Sequence, residues 1–226
     1  MPLRNRVDPW GRLHAVEARG TLLGNRGILH NAQKEIVTQW KGKGWVTCRL
    51  QFEGRKREVF SARSYSELFF LDEATAFSAG HRPCATCRRE RYNEFKSAWV
   101  KANPGLVRSA NPPIVEIDKV MHAERALRGG GKVTFDAPLG DLPPGTFVEL
   151  GGEAVLVWRG GFLRWSFAGY NGAPLPSAPS TPVRVLTPIS IVHVFRSGFV
   201  PTVHVSAESR QLAGKSESRR GTGRET

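Results

Sequence analysis

The sequence predicts an α+β fold: a β-hairpin and a helix–CxxC–helix module, followed by a small β-rich barrel or meander. Three observations carry this. Residues 45–52 alternate between apolar and polar side chains. The segments on either side of Cys84-Ala85-Thr86-Cys87 have helical signatures. Beyond Gly129-Gly130-Gly131, short apolar stretches are parted by Pro-Pro-Gly, Gly-Gly and Arg-Gly-Gly, as closely spaced strands require. The glycine run divides the chain into a basic part over 1–128 and a β-rich part over 132–205. A tail over 206–226, rich in Ser, Arg, Gly, Lys and Glu, is expected to be disordered.

Taken in order, Ala15–Leu23 and Ile28–His30 flank Gly24-Asn25-Arg26-Gly27, which reads as a turn with Arg26 at its tip, placed to meet a phosphate. After Lys41-Gly42-Lys43-Gly44, the segment Trp45–Phe52 places Val46, Cys48, Leu50 and Phe52 on one face of a half-buried strand. Glu53-Gly54 is a turn signal, and residues 55–60 return as the hairpin partner, with Arg55, Lys56 and Arg57 forming a basic tip that also guards a strand edge. Residues 72–80 predict a short helix with Asp72 and Glu73 in its first turn and Gly80 closing it. In a second helix over 88–102, Tyr92, Phe95, Trp99 and Ala102 form an apolar stripe, with Arg88, Arg89 and Arg91 mostly off it. A third helix is expected over about 114–128. In the β-rich part the strands are 132–135, 146–150, 154–158 and 162–167. Residues 171–182 are expected to form a loop, and 188–195 another helical or extended piece.

The 226 residues include 33 Lys and Arg against 20 Asp and Glu, a formal net charge of +13. Residues 1–130 hold 23 of these cations and 13 of the acids, so most of the excess lies there. A local basic surface of this kind points to nucleic acid as partner. With 40% hydrophobic and 23% charged residues, wholesale disorder is excluded. Three cysteines cannot build a dense disulfide framework and suit a reducing compartment. No apolar stretch follows the basic start as in a signal peptide, and none is long enough to cross a bilayer, so a cytoplasmic protein without membrane contact is expected.

Cys84-x-x-Cys87 at the mouth of a helix is the strongest chemical signal. The spacing lets two thiolates reach one tetrahedral metal, and free N–H groups at a helix start favour them as anions. Residues 73–87, with Glu73-Ala74, Ala76, Ala79-Gly80-His81-Arg82-Pro83-Cys84 and Cys87, resemble the second half of the metal-binding module of Ada-type methylphosphotriester DNA-repair proteins. The resemblance extends over about 45–102. It implies a fold-supporting zinc, a short helix leading into Arg-Pro-Cys-x-x-Cys, and two further ligands from a strand or loop upstream. In that family one thiolate of the upstream pair accepts a methyl group from DNA. Here Phe60–Ser66, where that pair should lie, contains serines and no Cys or His, so the methyl-acceptor activity is not expected.

Cys48 and His81 are the nearest residues that could complete a Cys₃His site, with His30 and His122 more distant. The face that carries Cys48 is apolar, which equally suits a thiol packed in a core. A redox role for the CxxC would need a thioredoxin-like βαβ setting that neither flank supplies. Asp118 and His122 are four apart on the third helix and are the candidates for acid–base or metal chemistry, a salt-bridged helix surface being the plain alternative. The expected function is a zinc-supported nucleic-acid-binding protein, DNA rather than RNA, with phosphates met by Arg26, Arg55, Lys56, Arg57, Arg82, Arg88, Arg89 and Arg91. The alternatives are a metal-dependent enzyme acting on nucleic acid and a structural metal module for protein contacts.

Overall fold

The computed structural model describes residues 1–54, 58–173 and 178–208. Short strands from the first 83 residues build one mixed sheet: β1 (Arg6–Val7), β2 (Leu13–His14), β3 (Leu22–Asn25), β4 (Val46–Cys48), β5 (Leu68–Phe70) and β6 (Arg82–Pro83). Their order across the sheet is β2-β1-β5-β3-β4-β6. β3 lies between β5 and β4, antiparallel to both, and Gly24 there is dictated by packing: a Cβ would sit 2.2 Å from the Phe70 ring. β4 pairs with β6 in parallel, Val46 opposite Arg82 and Thr47 opposite Pro83.

A second sheet follows, made of β7 (Phe135–Pro138), β8 (Phe147–Leu150), β9 (Glu153–Trp158), β10 (Gly161–Ser166), β11 (Gly169–Gly172) and β12 (Pro182–Val185). It is antiparallel throughout in the order β11-β10-β9-β8-β12-β7. β8 to β11 run as a meander. Two of its turns, Gly151-Gly152 and Arg159-Gly160, have positive φ at both central residues, the geometry whose twist matches a two-residue hairpin.

The named helices among the described residues are α1 (Glu73–Ser78), α2 (Arg89–Ala102), α3 (Ile114–Ala123) and α4 (Ile189–Arg196). α1 starts where Asp72, in extended backbone, accepts the Thr75 N–H at 2.8 Å, and it is followed by Gly80 at φ +82°. All six of its residues are buried. Phe77 packs into a helical cluster with Phe95 and Trp99 of α2, Ile117 and Met121 of α3, and Ile191, Val194 and Phe195 of α4. Ala74, on the other side, joins Phe147, Leu156, Trp158 and Tyr170 of the second sheet. The six-residue helix thus sits where the two hydrophobic clusters meet, and its burial explains why so short a helix holds.

Several expectations need correction. β4 ends at Cys48, and its partners are β3 and β6 instead of a return strand. Arg55, Lys56 and Arg57 lie outside the described residues, while Glu58–Phe60 lead into a turn. The buried residue of β4 is Thr47, 1% exposed, and Leu50 is exposed, so the apolar alternation did not mark the inward face. Central pairing on both edges, by β3 and β6, sets which way the strand faces. The third helix ends at Ala123, where the capping Glu124 donates its N–H back to Val120 O. Ser206–Glu208 belong to a helical turn, with Ala207 buried and Ser206 Oγ accepting the Tyr170 N–H at 2.8 Å; the rest of the tail lies outside the described residues. Among the described residues no helix is long and apolar enough to cross a membrane.

Candidate metal centre and its basic surroundings

Parallel pairing of β4 with β6 decides the geometry of the cysteines. With Thr47 opposite Pro83, the next residues on the two strands are Cys48 and Cys84, and the Cys84 N–H donates to Thr47 O at 2.9 Å. The chain then turns through residues 85–88 into α2, the Arg88 N–H returning to Cys84 O at 3.1 Å, which brings Cys87 back to the same point. The sulfur atoms of Cys48, Cys84 and Cys87 all lie within 4.8 Å of one another. Cys87 is buried and the other two are half-buried.

The three thiols are electrostatically unequal. Cys84 is lowered to about 4, chiefly because Cys48 donates a hydrogen bond to its sulfur. Burial opposes this, and the N–H groups of Cys87 and Thr86 assist it, the latter 3.4 Å from the sulfur. The Cys48 thiol is pushed up, first by donating that bond and then by burial. Three convergent sulfurs, one of them lowered, are a donor set that fits a thiophilic ion such as zinc, and they supply three of its four tetrahedral positions.

His81 is not part of this group. It is fully buried among Trp45 and Phe70, and its Nε2 accepts from Arg26 Nε at 3.1 Å. Burial, with the charges of Arg26 and Arg125 nearby, holds its imidazole well below the ordinary histidine value. His30 is engaged elsewhere, Nδ1 2.6 Å from Ser66 Oγ and its ring stacked on Phe60. Cys48 has the opposite outcome. Its strand was legible, but the apolar alternation gave no hint that the parallel register with β6 would set it beside Cys84.

Among the described residues, four of the arginines expected to meet phosphates, Arg26, Arg82, Arg88 and Arg91, are occupied within the protein. Arg82 is buried and pairs with Asp118 through Nε and Nη2 at 2.7 and 2.8 Å. Arg88 reaches Glu73 at 2.5 Å and Thr47 Oγ1 at 2.7 Å. Arg91 reaches Glu73 at 2.6 Å, Glu94 at 2.7 Å and Val200 O at 2.6 Å. Glu73 is therefore a hub. Burial would raise its carboxyl, but the hydrogen bond from Arg91 and the charges of Arg88 and Arg91 outweigh it and hold the group below the usual value. Arg26 is buried, not at a loop tip; the Gly27 N–H instead closes a small turn on Asn25 Oδ1 at 2.7 Å. Arg89 is exposed, as is Arg49, which the sequence did not single out. These two, with Arg88 and Arg91, line an open concavity of about 420 Å³ that includes Cys87 and Phe52.

Asp118 and His122 do not form a pair. Asp118 is committed to Arg82, and His122 stands edge-on to Trp40 and Trp45, with centroids 5.6 and 6.0 Å away. His193 binds Asn103 Oδ1 at 2.9 Å, tying α4 to the end of α2, and His204 makes a local contact with Ser206 Oγ at 2.8 Å. Comparison with protein-family models, curated proteins and solved structures finds no match.

Proposed function

We propose that the chain is a zinc-supported nucleic-acid-binding protein acting on DNA, without methyl-acceptor repair activity. The observation that carries this reading is the convergence of Cys48, Cys84 and Cys87 beside an arginine-lined surface. A zinc ion held there would cross-link β4 to the turn before α2 and so fix the base of that surface. Arg49 and Arg89 are the exposed cations on it, and their guanidiniums suit phosphate oxygens. Arg88 and Arg91 contribute field from behind, their hydrogen bonds being taken by Glu73. The upstream cysteine pair of the Ada-type module is absent from Phe60–Ser66, and here a single upstream thiol, Cys48, arrives from a strand.

The test has two readouts on the full chain. Elemental analysis should find about one zinc per chain, lost after Cys48→Ser or Cys84→Ser. Fluorescence anisotropy with labelled single-stranded and duplex DNA should show affinity that falls steeply as salt rises, because each neutralised phosphate releases counterions. The Arg49→Gln/Arg89→Gln double variant should bind more weakly and with a shallower salt slope. A metal-free wild type, or DNA affinity indifferent to salt, overturns the proposal.

A further inference from the structure

A second polar site shares no residue with the cysteines. Arg12, Arg26, Arg125 and Lys132, with Trp10 and Trp40, line a pocket of about 90 Å³. Its basic residues come from places far apart in the chain: the turn after β1, the end of β3, the segment after α3 and the start of the β-rich part. Arg26 and Arg125 are 3% and 2% exposed, and both guanidiniums lie over the Trp45 ring, 4.3 and 4.1 Å from its centroid.

These cations are held by neutral groups. Arg26 donates to Gly11 O at 3.0 Å and to His81; Arg125 donates to Gly80 O and Lys43 O; Lys132 Nζ donates to Ser78 O at 2.5 Å. Among the described residues none of the three makes an ion pair. The carboxylates that act on them are Asp8, Asp118 and Glu124. Each has other partners. Asp8 binds His14 and the Arg12 N–H, Asp118 takes both prongs of Arg82, and Glu124 accepts from Ser190. With pocket-lining Arg12 and with Arg82, which acts on Arg125, the three basic groups make five cations at and beside the pocket against three carboxylates. Two guanidinium nitrogens, Arg26 Nη2 and Arg125 Nε, are buried with no hydrogen-bond partner among the described residues. A Cβ on Gly11 would come within 3.4 Å of Arg26 Nη2, so glycine keeps the pocket wall open next to that donor.

Burying like charges without a counter-anion is costly, and unpaired buried donors add to that cost. An anion with several acceptor oxygens relieves both at once. We propose that this pocket binds a phosphate group, which enters between Trp10 and Trp40 and is gripped by Arg26, Arg125 and Lys132. Phosphate, with more oxygens and more charge, can meet the separate free donors Arg26 Nη2 and Arg125 Nε and balance the positive excess better than a carboxylate, which carries one charge and two oxygens. Burial lowers Lys132 to about 7 and Arg26 to about 9, and the charge of a bound anion would partly offset that lowering. This site stands whether or not the cysteines hold zinc.

The probe is inorganic phosphate, titrated into the full chain by calorimetry at constant ionic strength, with acetate as control. Saturable phosphate binding, accompanied by a change in tryptophan fluorescence, is expected. Arg26→Gln removes a buried side chain, so Lys132→Gln and Arg12→Gln serve as variants that retain the Trp45 stack. Lys132→Gln should weaken phosphate binding about tenfold or more, the loss expected for a charge-assisted hydrogen bond. Its far-ultraviolet circular dichroism should be unchanged. A 5′-phosphorylated trinucleotide and its 5′-hydroxyl counterpart identify the source of the phosphate. Preference for the phosphorylated strand over inorganic phosphate assigns the pocket to a strand end; equal binding assigns it to a small phosphate ester. Neither probe binding, or binding undiminished in Lys132→Gln, overturns the proposal.

Discussion

Arg82 and Asp118 meet through two parallel N–H···O bonds, 2.7 and 2.8 Å long, between side chains that are 7% and 6% exposed. The pair ties β6, which carries the chain into the cysteine turn, to α3. Removing one partner strands a buried charge, and Asp118→Ala is expected to cost about 3–5 kcal/mol, read by urea denaturation. The Arg82→Met/Asp118→Leu double variant should be less destabilised than Asp118→Ala. If the single variant costs no more than an exposed ion pair, the bond contributes little.

In metal-free protein the hydrogen bond from Cys48 and two N–H groups lower the Cys84 thiol to about 4, so a thiolate is expected there at neutral pH. Iodoacetamide at about pH 6, below the ordinary thiol range, should alkylate Cys84 first and Cys48 last. Peptide mass spectrometry distinguishes the sites. Added zinc should slow the reaction, and preferential modification of Cys48 would contradict the hydrogen-bond direction.

Glu73 supplies an acid-labile part of the stability. Its carboxyl is lower in the folded chain than the ordinary value of 4.5, so its contribution is fully present above that value. It is lost as pH falls through the folded value. Thermal unfolding followed from pH 7 down to about pH 3 should show this loss, and Glu73→Gln should be less stable at pH 7 and flatter below pH 4.5.

Asp72 is where α1 is fastened to the β-rich part. Its carboxylate accepts from Thr75, from Tyr170 OH at 2.7 Å and from the His204 N–H at 2.9 Å. Burial still raises its carboxyl above the usual value, despite these bonds. Tyr170→Phe removes one of them inside the core and should cost about 1–3 kcal/mol with the fold intact. Calorimetric unfolding measures it, and a loss of two-state behaviour would show that the two parts unfold separately.

Gly24→Ala tests close packing in the first sheet. The new Cβ would be 2.2 Å from Phe70 Cε2, within a rigid ring, and a penalty of about 1–3 kcal/mol is expected from overpacking. Gly172→Ala, with no atom of the described residues within 4 Å of its Cβ, is the control for the general effect of the substitution.

Local signals carried the elements that local physics controls. Asp72 and Gly80 bracket α1 because capping and a left-handed residue act within a few positions. Gly151-Gly152 and Arg159-Gly160 placed the meander turns for the same reason. The strand at 46–48 was legible too, but its inward face was not, since the alternation of Val46, Cys48 and Leu50 says nothing about neighbours on both edges. The arginines failed similarly: a count of cations cannot tell Arg82, matched to Asp118 across 36 positions, from exposed Arg89.

The sequence by itself determined the mixed helix and strand content, the basic excess in residues 1–130 and the two-thiol spacing of Cys84 and Cys87. Tertiary structure alone decided that Cys48 completes a three-sulfur group, that His81 turns away to serve Arg26, and that Arg26, Arg125 and Lys132 share one pocket. The physical reason is range. Caps, turns and spacings act over a handful of residues, whereas the sulfur cluster depends on the parallel register of β4 and β6, and the pocket on chain segments more than a hundred residues apart.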